Sequence, residues 1–426
     1  MRTLNRILPL LGLLLFAGTA SAATNAVLAG EDLQAKIDAA ASGDVMVIQS
    51  AAYGGAITIN KALTLVRSGA GNLQLLGPVT INTAGAVALS QLRFSDAVNI
   101  TGGASVSVLE SRFEGAVAAT EGKLSLRRSE IVGPLNLNNT ALTGLRLTNQ
   151  SVITAISAAN SGLPMNLAQS SFSGGITATG YAVSMGYSKA VSLSITDGDA
   201  TVVGNQFSTG NGLGPAINDP AINGLRSHLK ISNNSILLVA LVHKSGIVIS
   251  SCEATITNNT IAMLGGYVPG TNDSLRQIGI HVGGNSSVVR ISGNIIIYRN
   301  QFGQSTQSLI TRASNFDGLL EVSYCCFFPS TPDVPTFGSM VVDPGLVDNT
   351  TLAIGSACRN AGPPDAIYND RDGTRNDIGY TGGPLYNPAN YVTDLPLAFW
   401  LDATPRKVLK GVNNTIRVDA AATAGH

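Results

Sequence analysis

Aromatic residues are scarce in this chain. They make up 5% of 426 positions and include a single Trp, Trp400. A core of this size cannot be built around large rings. It must come from Val, Ile, Leu and Ala, and small and β-branched residues at high density favour narrow stacked strands. Charge is scarce too, at 12% of residues with a formal net charge of zero. No basic block points to nucleic acid, and no polybasic patch points to anionic lipid. No segment supplies the roughly 20 apolar residues that span a bilayer. The four cysteines, Cys252, Cys325, Cys326 and Cys358, form no C-x-x-C motif, which argues against a zinc ribbon or a thioredoxin-type site. Four scattered histidines give no basis for a Ser/His/Asp triad.

What is present begins with an export signal. Arg2 and Arg6 give a basic start, Leu8 to Ala17 a short apolar core, and Ala20-Ser21-Ala22 a cleavage site, as secretory signals have. Residues 1–22 are therefore expected to be removed, leaving a secreted, periplasmic or cell-surface protein that starts at Ala23. Without Arg2 and Arg6, 24 basic residues stand against 26 acidic ones, a net −2. An even cysteine count in an oxidising compartment permits disulfides.

Glu31 to Ala41 reads as one amphipathic helix, with Leu33, Ile37 and Ala40 on one face. Gly43 ends it. Short alternating strands follow at Val45–Ile48, Ile57–Ile59 and Ala62–Val66. A large apolar residue then recurs at Phe94, Phe113, Ile131, Val152, Phe172, Phe207, Ile236, Ile261 and Ile295, first at steps of 19, 18, 21 and 20 residues. The next step, 35, is long enough for two coils. Later ones of 29, 25 and 34 fit one coil plus an insertion. A coil of three short strands needs about 20 residues, whereas a β-sandwich would turn every 8–12 residues or so. Asn stands just before the apolar residue at Asn205, Asn233-Asn234, Asn258-Asn259 and Asn294. Asn accepts left-handed turn geometry, and amides stacked at ~4.8 Å can bond to their neighbours above and below. The fold expected is all-β: a right-handed parallel β-helix with a short N-terminal capping helix.

The segments Ile231–Ile236, Ile256–Ile261 and Ile291–Ile296 resemble parallel β-helix repeats of the pectin-lyase-like superfamily. So does the opening, a capping helix followed by Gly43-Asp44, Tyr53-Gly54-Gly55 and Leu63-Thr64-Leu65. Gly355 to Gly362, followed by Asp370 to Gly379, resembles the closing segment of many secreted bacterial β-helix proteins. The resemblance covers residues 30–385, so the β-helix domain is placed at 23–385 and an extension, cap or partial second domain at 386–426, where Val408 to Val418 alternates like one or two strands. In proteins with this ending, a cysteine of a late strand pairs with one in the closing segment. The resemblance therefore implies a Cys326–Cys358 disulfide, with Cys325 facing the other way and Cys252 an ordinary buried thiol. It fixes no activity, since the superfamily holds lyases, hydrolases, epimerases and adhesins.

Three constellations could carry chemistry. Asp370, Asp372, Asn376 and Asp377 gather oxygen ligands around Gly373, as calcium turns do, although the spacing departs from an EF-hand. The alternative is turn capping; calcium is the one cofactor suggested. Second, insertions at Gly210–Arg226 and Leu264–Gln277 should overhang one side of the stack. They bring Asp219, Arg226, His228, Tyr267, Asp273, Arg276 and His281, with His243 and Lys244 from the coil between. A cation to neutralise a uronate and a base to take the adjacent proton would make a lyase. The alternative is a set of solvated loop residues. Third, Arg93, Arg112 and Glu130 share one offset, with Glu110, Glu114 and Arg128 beside them. These read as surface ion pairs worth under about 1 kcal/mol each.

The Asn-Thr-Asp, Asp-Asp and Gly-His-Gly motifs of polygalacturonases are absent, as is the Asp-Pro-His of alginate epimerases. Paired hydrolase carboxylates, pectate-lyase Asp pairs and regular Thr-x-Thr rows of an ice-binding face are not evident. The expectation is a carbohydrate-binding or cell-surface structural module with a glycan partner. The alternative is a polysaccharide lyase or glycoside hydrolase acting on an acidic polysaccharide.

Overall fold

A computed structural model describes residues 22–149, 151–157, 162–209, 220–240, 244–265, 277–285, 288–300, 307–386, 397–404 and 417–423. All of the proposed signal segment but Ala22 lies outside them. Among the described residues no helix is long and apolar enough to cross a membrane.

The chain is an all-β parallel solenoid. The coils stack short strands into three columns, with Val117–Arg127 and Leu135–Leu145 each running through two of them, and the stacked strands pair in parallel with their counterparts in neighbouring coils. Alternation drives this arrangement. In Ile57-Thr58-Ile59 the two Ile side chains are buried and Thr58 is exposed, because successive residues on a strand face opposite sides. Register then stacks like on like. Val98 pairs with Val79 below and Val117 above, and the inward row continues through Leu135, Ile153 and Ile176. All are buried in one continuous core. A one-residue slip would turn every one of them to water. Corners are tight as well: a Cβ on Gly133 would sit 2.3 Å from the Gly115 carbonyl oxygen below.

The third column carries the large apolar repeat, with two differences from expectation. Phe94 and Phe113 stack with ring centroids 4.6 Å apart and nearly parallel planes. After Ile131 the position belongs to Asn149, not Val152. Asn149 is buried whereas Val152 is 45% exposed. In the later coils Ile296, not Ile295, pairs with Ile261. The long step between Phe172 and Phe207 does hold two coils, because Ala190 takes the position between them.

The corner between the second and third columns holds the asparagine ladder. Asn205 donates its side-chain amide to Asn234 Oδ1 at 3.0 Å, Asn234 to Asn259 at 3.0 Å, and Asn259 to Asn294 at 2.9 Å. Each Oδ1 also accepts the backbone N–H of the coil below. Ser188 and Ser170 hold the same position in earlier coils, and Cys325 ends the series above Asn294. The residue before each ladder member has positive φ, as at Asn233 (54°) and Asn258 (53°), a geometry Asn tolerates.

The helix Leu33–Ala39 closes the N-terminal end. Asp32 caps it, and Leu33 and Ile37 are buried. A strand not anticipated, Thr24–Val27, precedes it and pairs with Val45–Gln49. At the other end the chain folds back. A second core forms on the outside of the third column from Ile295, Ile297, Cys326, Leu346, Leu352, Cys358 and Ile378. Beyond it, the strands are Leu397–Thr404 and Arg417–Thr423, paired antiparallel with a register shift at Ala398/Trp400. Most of the Val408–Val418 stretch expected as strand lies outside the described residues.

Candidate functional site

A depression of about 590 Å³ opens at the corner between the first and second columns in the upper coils. Arg226, Ser227, His228, Ser251, Glu253 and Leu319 line it. Arg226 occupies the corner itself at φ 50°, which turns its side chain out from the coil. His228 opens the next strand in register with Asp199 below and Glu253 above.

The charges here are tied to one another. Arg226 donates from Nε to Asp197 Oδ1 at 2.6 Å and from its terminal nitrogen to Oδ2 at 2.7 Å. That guanidinium holds the Asp197 carboxyl below the usual carboxylate range. His228 Nδ1 lies 2.9 Å from Asp199 Oδ1, with the two side chains 74% and 69% exposed. Water reaches both sides of this pair. The depression and its partners thus bring three carboxylates, Asp197, Asp199 and Glu253, against one guanidinium and one imidazole.

Of the residues singled out in the sequence, Arg226 and His228 come together. Lys244 pairs in register with Gln277 in the first column. His281 stands on that column's outward face, with Nδ1 2.7 Å from Thr311 Oγ1. Neither lines the depression. Asp219, His243, Tyr267, Asp273 and Arg276 lie outside the described residues. Sequence reading missed Asp197 and Asp199, although a signal was present. Each precedes its partner by the same 29 residues, one coil with its insertion. Glu253 and Leu319 had no such mark.

The Asp-rich segment is a clasp. Both Asp370 oxygens accept from Asp377 N, at 3.2 and 3.1 Å, and Gly383 N also donates to Asp370. Burial pushes the Asp370 carboxyl up. Asp372 accepts from Thr374 N at 2.9 Å and Oγ1 at 2.6 Å, and the hydroxyl contact lowers its pKa. Asp377 accepts from Asn360 N at 2.7 Å. Asn376 is fully buried and faces Asn258. These oxygens serve backbone and side-chain donors. Among the described residues no group of three His, Cys, Asp or Glu side chains is placed to hold a metal ion.

Cys326 and Cys358 meet in the outer core as free thiols. Contact with the Cys358 thiol, and then burial, pushes the Cys326 pKa far up. Cys325 faces the inner core instead, and burial drives its thiol up to about 12. Cys252 is buried beside Ser227, whose N–H it accepts at 3.3 Å. In the early coils Arg93 and Arg112 both reach Glu114, and Arg112 also bonds Glu130. These contacts form a continuous ion-pair strip on half-exposed side chains.

No family model, curated protein or solved structure matches this chain.

Proposed function

We propose that this chain is an exported β-helix of the pectin-lyase-like type that serves as a non-catalytic carbohydrate-binding or cell-surface module. The likeness of its repeats and closing segment to that superfamily motivates the class, and the depression at Arg226 and His228 is where a glycan would sit. The observation that carries the non-catalytic reading is the pairing of that depression's charges. A lyase needs a cation free to neutralise a uronate, yet Asp197 takes the Arg226 guanidinium through two hydrogen bonds. An acidic polysaccharide would also meet three carboxylates there. A neutral glycan meets no such repulsion, and paired donors and acceptors suit its hydroxyls. Leu319, half exposed at the rim, offers apolar surface to a sugar ring.

The enzyme reading rests on the one fact that a guanidinium, an imidazole and a carboxylate line one depression. A glycan-array screen of the purified mature protein, with and without calcium and with product detection on every hit, separates the two. Binding to neutral glycans without turnover, weakened by Arg226→Ala, is expected. Release of unsaturated or newly reducing products would overturn the non-catalytic reading, and binding to no glycan would overturn the carbohydrate reading.

A further inference from the structure

The outward face of the first column carries an array that the linear sequence does not display. Inward residues of this column are apolar, so its outward positions fall at every second residue. In five coils both outward positions hold a small polar side chain: Thr80 and Asn82, Asn99 and Thr101, Asn136 and Asn138, Thr177 and Thr179, Ser194 and Thr196. Register places them in two straight rows. Thr80 pairs with Asn99, and Asn136 follows across Ala118. Thr154 leads from Asn136 to Thr177 and on to Ser194. The second row runs alongside, broken only where Ile156 stands between Asn138 and Thr179. Regular Thr-x-Thr repeats are few, which is why the rows escape a reading of the sequence. Thr, Asn and Ser substitute for one another from coil to coil.

Four properties of this face restrict its occupant. It carries no charged residue in either row from Thr80 to Thr196, so an ionic partner finds no complement. It carries no aromatic, Met or Arg side chain, the residues that mark the core of a protein interface. It is a sheet face and not a cleft, whereas small-molecule sites are concave. Its polar groups are free: among the described residues eight of the ten make no side-chain hydrogen bond. The exceptions are Thr101, at 3.4 Å from the Ile81 carbonyl, and Ser194, which accepts from Asn223 at 3.2 Å. All ten are exposed or half-buried.

We propose that this face binds ice. The array is two-dimensional and repeating, with a period of ~4.8 Å across strands and ~6.6 Å between alternate residues along one. Oxygen rows on the prism faces of ice repeat on this scale. β-Branched Thr is stiff at χ1, so its hydroxyl and methyl keep fixed positions and hold surface waters in a lattice before freezing. Each water contact is weak, and retention comes from many matched positions engaging at once.

The test uses the mature protein in a nanolitre osmometer and in an ice-recrystallisation assay. Thermal hysteresis and arrest of recrystallisation are expected. Asn136→Tyr and Thr177→Tyr, which project bulk from the middle of the face, should abolish both while leaving the thermal unfolding midpoint unchanged. Ser125→Tyr, on the outward face of the second column, should leave both intact. Three results would overturn the proposal: no ice activity in the parent protein, activity that survives both face variants, or a face that retains an insoluble neutral polysaccharide but shows no effect on ice. A face variant with a lowered midpoint is replaced by Thr177→Lys, read in the same way.

Discussion

Asn258 and Asn376 exchange a reciprocal pair of amide hydrogen bonds, 3.0 Å in one direction and 3.3 Å in the other, across 118 residues of sequence. Asn258 is the left-handed corner residue of a late coil, and Asn376 belongs to the closing segment. One corner thus serves two purposes, turning the coil and anchoring the chain's return. Asn233, one coil below, does the same by donating to the Tyr380 and Gly382 carbonyls.

Asn376→Ala should therefore open the clasp without unfolding the solenoid. It removes both bonds to Asn258 and the one to the Tyr368 carbonyl, and leaves a buried amide of Asn258 short of partners. The expected cost is about 2 kcal/mol. Hydrogen exchange should rise over residues 343–385 and stay unchanged over residues 79–209. Uniform loss of protection along the whole chain would contradict this division.

Asn259→Ala should cost more, about 3 kcal/mol or above, since it removes an amide engaged on both sides and strands polar groups in two coils. Asn259 donates to the Ile231 and Thr257 carbonyls and to Asn294, and accepts from Asn234. Asn259→Ser should cost less, because Ser170 and Ser188 already fill this position in earlier coils. Urea unfolding of the three proteins orders them. Equal midpoints for the Ala variant and the parent would remove the ladder from the account of stability.

How much of this was legible in the sequence depends on which signal each feature leaves. The ladder was legible because Asn keeps a constant offset from the apolar residue. The coil at Ala190 left only a doubled step, since a small side chain fills a position held elsewhere by Phe172 and Phe207. Val152 was taken for the row's member in place of Asn149 because a buried polar residue in an apolar row defeats any count of hydrophobic spacing. Thr24–Val27 was missed because its pairing with Val45–Gln49 spans the capping helix. The depression was half legible. An insertion drew attention to Arg226 and His228, but Leu319 enters from coils of unequal length, where no fixed offset leads. The Thr and Asn rows became visible only once register aligned the coils.

Cys326 and Cys358 should be joined in protein recovered from an oxidising compartment. The two thiols already share the outer core, where Cys326 lies against Cys358. Closing a loop of about 32 residues is worth about 3–4 kcal/mol in the loop-entropy model. Peptide mapping without reduction should find the 326–358 link, with Cys252 and Cys325 unmodified. Reductant should then loosen residues 343–385 before the solenoid. Four alkylatable thiols in protein so recovered, unfolded without reduction, would refute the pairing.

The N-terminal strand should respond to acid and to processing together. Asp44 accepts from Ala23 N at 2.9 Å, from Ala41 N at 2.9 Å and from the Asn25 side chain at 2.9 Å. The Ala23 contact, and then the Ala41 contact, hold its carboxyl below the ordinary value of 3.8. A depressed folded pKa contributes stability that is fully present above that value and is lost as pH falls through the folded pKa. Removal of residues 1–22 would convert Ala23 N from an amide into an ammonium, and a charged donor strengthens the bond and lowers the carboxyl further. Protein beginning at Ala23 should therefore keep exchange protection over Thr24–Val27 to lower pH than protein carrying extra residues before Ala23. Asp44→Asn should remove the difference between the two forms. Identical acid profiles for both forms with Asp44 intact would show that the new terminus does not pair with this carboxylate.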